Sequence, residues 1–188
     1  MVSLHLSKIK KINKMNKGFK QLSEYFNEGF AVVEIGDKQN LIDESGKLLS
    51  PKWFDGCGGF RDGVSIVRLG YKYNFINKGG KLISDIWFDM CYHFHEGFAA
   101  VELNGKQNFI NKDGKIISDQ WLDGGSCRFH EGFAAILCGN RCNFIDGNGK
   151  FLSDQWFDEC TSFKNGIAGV RNGNDWFKID TDGKLTKG

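Results

Sequence analysis

The chain has 188 residues, is 40% hydrophobic and 14% aromatic, contains one Pro, and carries a formal net charge of +2. That length and apolar content suit a folded domain rather than a disordered chain, and no run of 18 apolar residues is present to span a membrane. Residues 1–20 hold six lysines and no acid, leaving 19 basic and 23 acidic residues elsewhere, so the body lacks the basic face that a nucleic-acid backbone requires.

Residues 1–18 form a basic arm. Leu6, Ile9, Ile12 and Met15 recur at helical spacing among the lysines. This predicts a short helix, either a cap on the folded region or a segment lying on an acidic or anionic surface. Lysines from Lys8 onward interrupt any secretory signal core. Cytoplasmic residence is expected, with export lacking a cleaved signal as the alternative.

From residue 19 to 188 one pattern recurs about every 34 residues. Gly29, Gly63, Gly97, Gly132 and Gly166 mark it, as do Trp53, Trp87, Trp121 and Trp156. Units fall near 26–59, 60–93, 94–128, 129–162 and 163–185, and such a period marks a repeat architecture in which neighbours bury each other's apolar faces.

Each unit opens on an alternating segment such as Gly29-Phe-Ala-Val-Val-Glu34, which reads as a strand with two apolar faces. Two-residue connections follow at Gly36-Asp37, Gly70-Tyr71, Asn104-Gly105, Gly139-Asn140 and Gly173-Asn174. They suit tight hairpins, because these residues tolerate positive φ. A second strand, Lys38 to Ile42 in the first unit, leads to a turn of the type Asn111-Lys-Asp-Gly-Lys115. A short third strand (Ile116 to Ser118) precedes a Trp-Phe-Asp segment, read as a fourth strand or a compact corner. The fold class is therefore all-β: five tandem antiparallel meanders in an open superhelical stack.

A closed five-bladed, propeller-like ring is the alternative. The last unit stops at Lys184-Leu185, and Phe19 stands seven residues before Phe26 as Trp53 does before Phe60. The N-terminal segment would then complete the final unit.

With Lys106-Gln-Asn-Phe-Ile-Asn111, Gly114-Lys115 and Trp121-Leu-Asp123 in place, the chain resembles the WG-repeat family of bacterial and phage proteins over about residues 26–185. The name-giving Trp-Gly pair is replaced by Gln39-Asn40, Tyr73-Asn74, Gln107-Asn108 and Cys142-Asn143; Trp176 survives, followed by Phe177, and the family's proline remains only as Pro51. The resemblance implies an all-β repeat with an interaction role and offers no catalytic residue to carry over.

The Trp column reads either as core wedges or as stacking platforms. Cys57, Cys91, Cys127 and Cys160 fall near one repeat position and read as small, reduced, buried side chains. Cys138 and Cys142 flank a hairpin turn and read as two unrelated cysteines, with a disulfide across the hairpin as the alternative in an exported chain. Cys91, His93 and His95 alternate, with Cys127 and His130 one unit later, but zinc wants four converging ligands. His95 and His130 share a column with Asn27, Arg61 and Lys164, which reads as a solvent-facing ladder. No metal or cofactor is expected.

Two acidic columns (Glu28, Asp62, Glu96, Glu131 and Asp55, Asp89, Asp123, Asp158) carry the residue types of hydrolysis or calcium binding. Equal use in every unit points instead to backbone capping, whereas an active site would break the repeat at one place. The expected function is a non-enzymatic scaffold for a protein partner, with no nucleic acid bound. Candidate binding residues are Arg61, Tyr71, Tyr73, His95, His130 and Trp176, in the variable columns. A small-molecule or glycan module using Tyr71, Tyr73 and Trp176 is the alternative.

Overall fold

In the computed structural model, residues 18–23 and 25–187 are described, and no helix occurs among them. The basic helix predicted for the arm lies outside these residues. The chain divides into two compact parts, Met1–Phe88 and Asp89–Gly188.

The N-terminal part holds two sheets: β1 (Lys20–Gln21), β2 (Phe30–Ile35) and β3 (Lys38–Asp43), then β4 (Gly56–Cys57), β5 (Val64–Leu69) and β6 (Lys72–Asn77). The C-terminal part holds three. The first is β7 (Met90–Cys91), β8 (Phe98–Leu103) and β9 (Lys106–Asn111), and the second is β10 (Gly124–Gly125), β11 (Phe133–Cys138) and β12 (Arg141–Asp146). The third is β13 (Glu159–Cys160), β14 (Ile167–Asn172), β15 (Asp175–Asp180) and β16 (Leu185–Lys187). All pairings are antiparallel. The recurring sheet is thus a two-residue strand followed by a hairpin.

The hairpins form where the alternating segments predict them. At the β8–β9 turn, Asn104 (φ 54) and Gly105 (φ 74) are both left-handed, the geometry of a type I′ turn whose twist matches its strands.

The expected third strand shrinks to a single bridge, Ile110 to Ile116. Asn108 is the physical reason. Its buried Nδ2 donates to the Ser118 and Gln120 carbonyls at 2.8 and 3.2 Å, while its Oδ1 accepts from the Phe109 N–H at 2.8 Å. The chain is turned into a corner before a strand can extend. Asn40 and Asn74 make the same three bonds in their own repeats. The Trp-Leu-Asp segment is that corner, with Leu122 and Gln107 exchanging backbone bonds of 2.8 and 2.9 Å.

Ring closure through the N-terminal segment is not how the ends pair. Lys20 and Gln21 pair with Glu34 and Val33 inside the first sheet, and the last sheet gains its fourth strand from its own tail, β16 on β15.

Within each part, cores lie between successive sheets. Val32, Leu41 and Phe54 pack with Phe60, Val67 and Ile76 in the N-terminal part. In the C-terminal part Ala100, Phe109 and Leu122 pack with Phe129, Ala134, Ile136 and Ile145, and Phe144 and Phe157 with Phe163, Ala168 and Val170. Phe129 sits between Phe98 (4.5 Å between ring centroids) and Phe109 (4.9 Å, edge-on) of the sheet before it. Phe163 repeats this with Phe133 and Phe144, each at 4.9 Å.

The last sheet changes this socket. In register, Phe98 and Phe133 become Ile167, Phe109 and Phe144 become Lys178, and the clamping Asn becomes Phe177. Ile167 and Lys178 are exposed, so this sheet presents no aromatic socket of the kind that holds Phe129 and Phe163.

Candidate functional site

Carboxylates in both acidic columns hold backbone. Glu28 accepts from the Gly63 N–H at 3.0 Å and pairs with Lys78, whose hydrogen bond leads in holding its carboxyl below the ordinary range. Glu96 accepts from the N–H groups of Glu131 (3.0 Å) and Gly132 (2.8 Å), and Glu131 in turn accepts from Asn165 and Gly166, both at 2.7 Å. Those last two donors, Gly166 first, hold the Glu131 carboxyl low as well. Each acid itself has a left-handed backbone, φ 50 to 52 at Glu28, Glu96 and Glu131.

In the second column Asp55, Asp89, Asp123 and Asp158 each cap the next hairpin, accepting from the N–H of Gly70, Asn104, Gly139 and Gly173. Lys38, Lys106 and Arg141 pair with Asp55, Asp123 and Asp158 from the preceding sheet. These carboxylates are occupied by turns rather than converging on a substrate-sized space.

Gln39, Gln107 and Cys142 belong to a variable column, read in the sequence as a place for specificity, and here they bind their own protein. Gln39 Oε1 accepts from the Cys57 N–H at 2.8 Å, and Gln107 Nε2 donates to the Ser126 carbonyl at 2.9 Å. Cys142 forms a disulfide with Cys160, Cα atoms 6.1 Å apart, within the usual span. Gln107 and Cys142 are 5% and 3% exposed. Each side chain ties its own sheet to the leading strand, or the residue beside it, of the next. The sequence reading of Cys160 as a reduced thiol is therefore corrected; Cys138, the alternative partner for Cys142, is free and exposed. The detectable signal was the 18-residue offset shared by Gln39–Cys57 and Cys142–Cys160.

The six candidate binding residues are shared between the two parts. In the N-terminal part, Arg61 is exposed at one end of β5, Tyr71 is 94% exposed in the turn at its other end, and Tyr73 is half-buried on β6. In the C-terminal part, His95 and His130 do meet, with ring centroids 5.6 Å apart. They are half-buried rather than solvent-facing, and His95 Nδ1 is buried without a hydrogen-bond partner. Among the described residues no group of three or more His, Cys, Asp or Glu is placed to hold a metal ion. Trp53, Trp87, Trp121 and Trp156 are half-buried, and Trp156 packs edge-on against Phe151.

Trp176 lies elsewhere. It is 45% exposed and lines a groove of about 420 Å³ between the last two sheets. Leu137, Ser126, Thr161, Glu159 and the Cys142–Cys160 disulfide share that groove.

Five antiparallel sheets of one plan, with side chains recurring at fixed positions, define a tandem β-repeat protein. The WG containing repeat is matched over residues 41–73, 75–106 and 144–176, just over half of the chain. The chain belongs to that family.

No curated protein matches the sequence. Solved structures resemble it remotely. Hsv2 of Kluyveromyces lactis, with loop 6CD replaced by a Gly-Ser linker, is 9% identical with a TM-score of 0.43; 85% of this chain covers 64% of that one. A eukaryotic initiation factor is 14% identical with a TM-score of 0.48, 86% of this chain covering 52% of it. A Bacteroides caccae protein of unknown function is 14% identical with a TM-score of 0.32, 92% of this chain covering 82% of it. At this level of likeness nothing of their functions transfers. No helix among the described residues is long and apolar enough to cross a membrane.

Proposed function

We propose that this chain is a non-enzymatic, cytoplasmic scaffold whose repeats, stacked as an open superhelix, present a surface to a protein partner. The observation that carries the reading is Tyr71. At the position where the other hairpins place Asp37, Gly105, Asn140 and Asn174, this one holds an aromatic ring 94% exposed to solvent. A turn needs no such ring, and exposed Tyr and Arg are the side chains that dominate binding energy at interfaces. Arg61, exposed on the same sheet, adds the second. Engagement of both acidic columns with backbone supports a role other than hydrolysis.

The test is affinity capture from the native host with wild type and Tyr71→Ala compared quantitatively. Loss of about tenfold or more of a discrete protein from the variant, its melting temperature unchanged, supports the proposal. Identical captured sets contradict it.

A small molecule or glycan is the second reading, favoured by the groove beside Trp176, whose volume falls in the range of ligand sites. Saturable binding of one compound, abolished by Trp176→Ala, would establish it.

A further inference from the structure

The Cys142–Cys160 disulfide occupies the place where other repeats use a hydrogen bond, and this has a chemical consequence. Gln39 and Gln107 fasten the next sheet non-covalently, each through a side-chain amide bonded to backbone. Cys142 fastens it through sulfur. A reduced Cys142 is too short, and too weak a hydrogen-bonding group, to replace the glutamine bond. Reduction therefore leaves this junction with neither fastening, while the glutamine junctions keep theirs.

We propose that Cys142–Cys160 is a redox-operated tether that fixes the terminal sheet, β13 to β16, and with it the groove beside Trp176. Two positional facts support reversibility. Cys160 is only partly buried and both cysteines line the open groove, so a small thiol reaches the bond. Ile167, Trp176 and Lys178 of this sheet are exposed, so local opening there uncovers little buried apolar surface.

The step balances simply. A dithiol reductant attacks one sulfur, the S–S bond breaks, and two electrons and two protons pass to the protein as two S–H groups. The reductant leaves as its own disulfide. An intracellular disulfide of this kind is usually a sensing one rather than permanent, in keeping with the proposed cytoplasmic setting. The tether itself does not depend on what the partner is.

The experiment is hydrogen exchange by mass spectrometry on the full chain, oxidised and then reduced with dithiothreitol. Cys142→Gln, which restores the glutamine of the column, and Cys160→Ser, which cannot be oxidised there, are run in parallel. The tether predicts a protein lighter by two hydrogens before reduction. Reduction should then raise exchange roughly tenfold in residues 159–187, leaving 98–111 unchanged. Cys160→Ser should behave as the reduced wild type with or without reductant, and Cys142→Gln should be insensitive to reductant.

Equal exchange in oxidised and reduced wild type overturns the proposal. So does loosening spread evenly over residues 89–187, or failure to isolate the oxidised form under thiol-blocking conditions. Should Cys142→Gln not fold, the comparison of wild type with Cys160→Ser decides alone.

Discussion

Glu131 grips Gly166: a carboxylate on one tight turn accepts the N–H of the same turn one repeat later, at 2.7 Å, with a second bond of 2.7 Å from Asn165. Glu96 does the same to Gly132. Side chains that look catalytic in the sequence are here the rungs of an inter-repeat ladder.

The ladder makes stability pH-dependent on the acid side. Glu28, Glu131, Asp55 and Asp123 have carboxyls held below their ordinary values of 4.5 (Glu) and 3.8 (Asp). For Glu131 and Asp123 the leading cause is a backbone N–H donor; for Glu28 and Asp55 it is a lysine. A carboxyl depressed in the folded state stabilises it above the unfolded pKa, and that contribution fades as pH falls through the folded value. Melting temperature should be flat on the acid side from pH 7 down to about 5 and fall below that. A curve unchanged down to pH 3 would contradict the assignment.

Asn108 should be among the most sensitive buried positions. Its side chain satisfies two carbonyls and one N–H in the corner, and removing it strands buried polar groups at a cost of about 1–3 kcal/mol each. Asn108→Ala is expected to destabilise by about 2–4 kcal/mol in denaturant unfolding. A change under about 0.5 kcal/mol, the level of an indifferent surface site, would remove the clamp from the account.

Glycines of equal conformation should differ in what they tolerate. Gly173 (φ 60) and Gly183 (φ 81) are both left-handed, but a Cβ on Gly173 meets open space and one on Gly183 would lie 2.6 Å from the Leu152 carbonyl of the preceding repeat. Gly173→Ala should cost about 1 kcal/mol from backbone strain alone. Gly183→Ala should cost at least about 1 kcal/mol more, because overpacking adds to strain. Equal losses would show that the repeats do not approach so closely.

Thiol chemistry should follow burial. Burial pushes the Cys57 thiol up to about 12 and raises that of Cys91 further, whereas Cys138 is free and exposed. Because the thiolate is the reactive form, iodoacetamide at pH 8 should modify Cys138 first and leave Cys57 and Cys91 until the chain unfolds. Early labelling of Cys91, read by peptide mass mapping, would contradict its placement.

Much of this was legible in the sequence, because a period of about 34 residues displays each structural position several times. The hairpins and their turns follow from residue types that act locally, and the backbone-holding role of the acid columns from their use in unit after unit. Gln107 and Cys142 were less legible. Their column varies, which suggested a place for specificity, yet both are buried because each reaches something 18 or 19 residues further on. The Asn clamp was hidden for the same reason: a buried amide is recognisable only once the carbonyls opposite it are known. His95 and His130 share a column in the sequence, but only packing brings their rings together.

The most direct measurement is residue-resolved amide exchange of the native chain at Gly132 and Gly166. Their acceptors are the Glu96 and Glu131 carboxylates of the preceding repeat, so protection at these amides requires neighbouring repeats to be joined. Slow exchange in wild type, with Glu131→Ala releasing Asn165 and Gly166 but not Gly132, is the predicted result. Unprotected amides at both glycines in the wild type would contradict the ladder, and with it the picture of repeats holding one another in line.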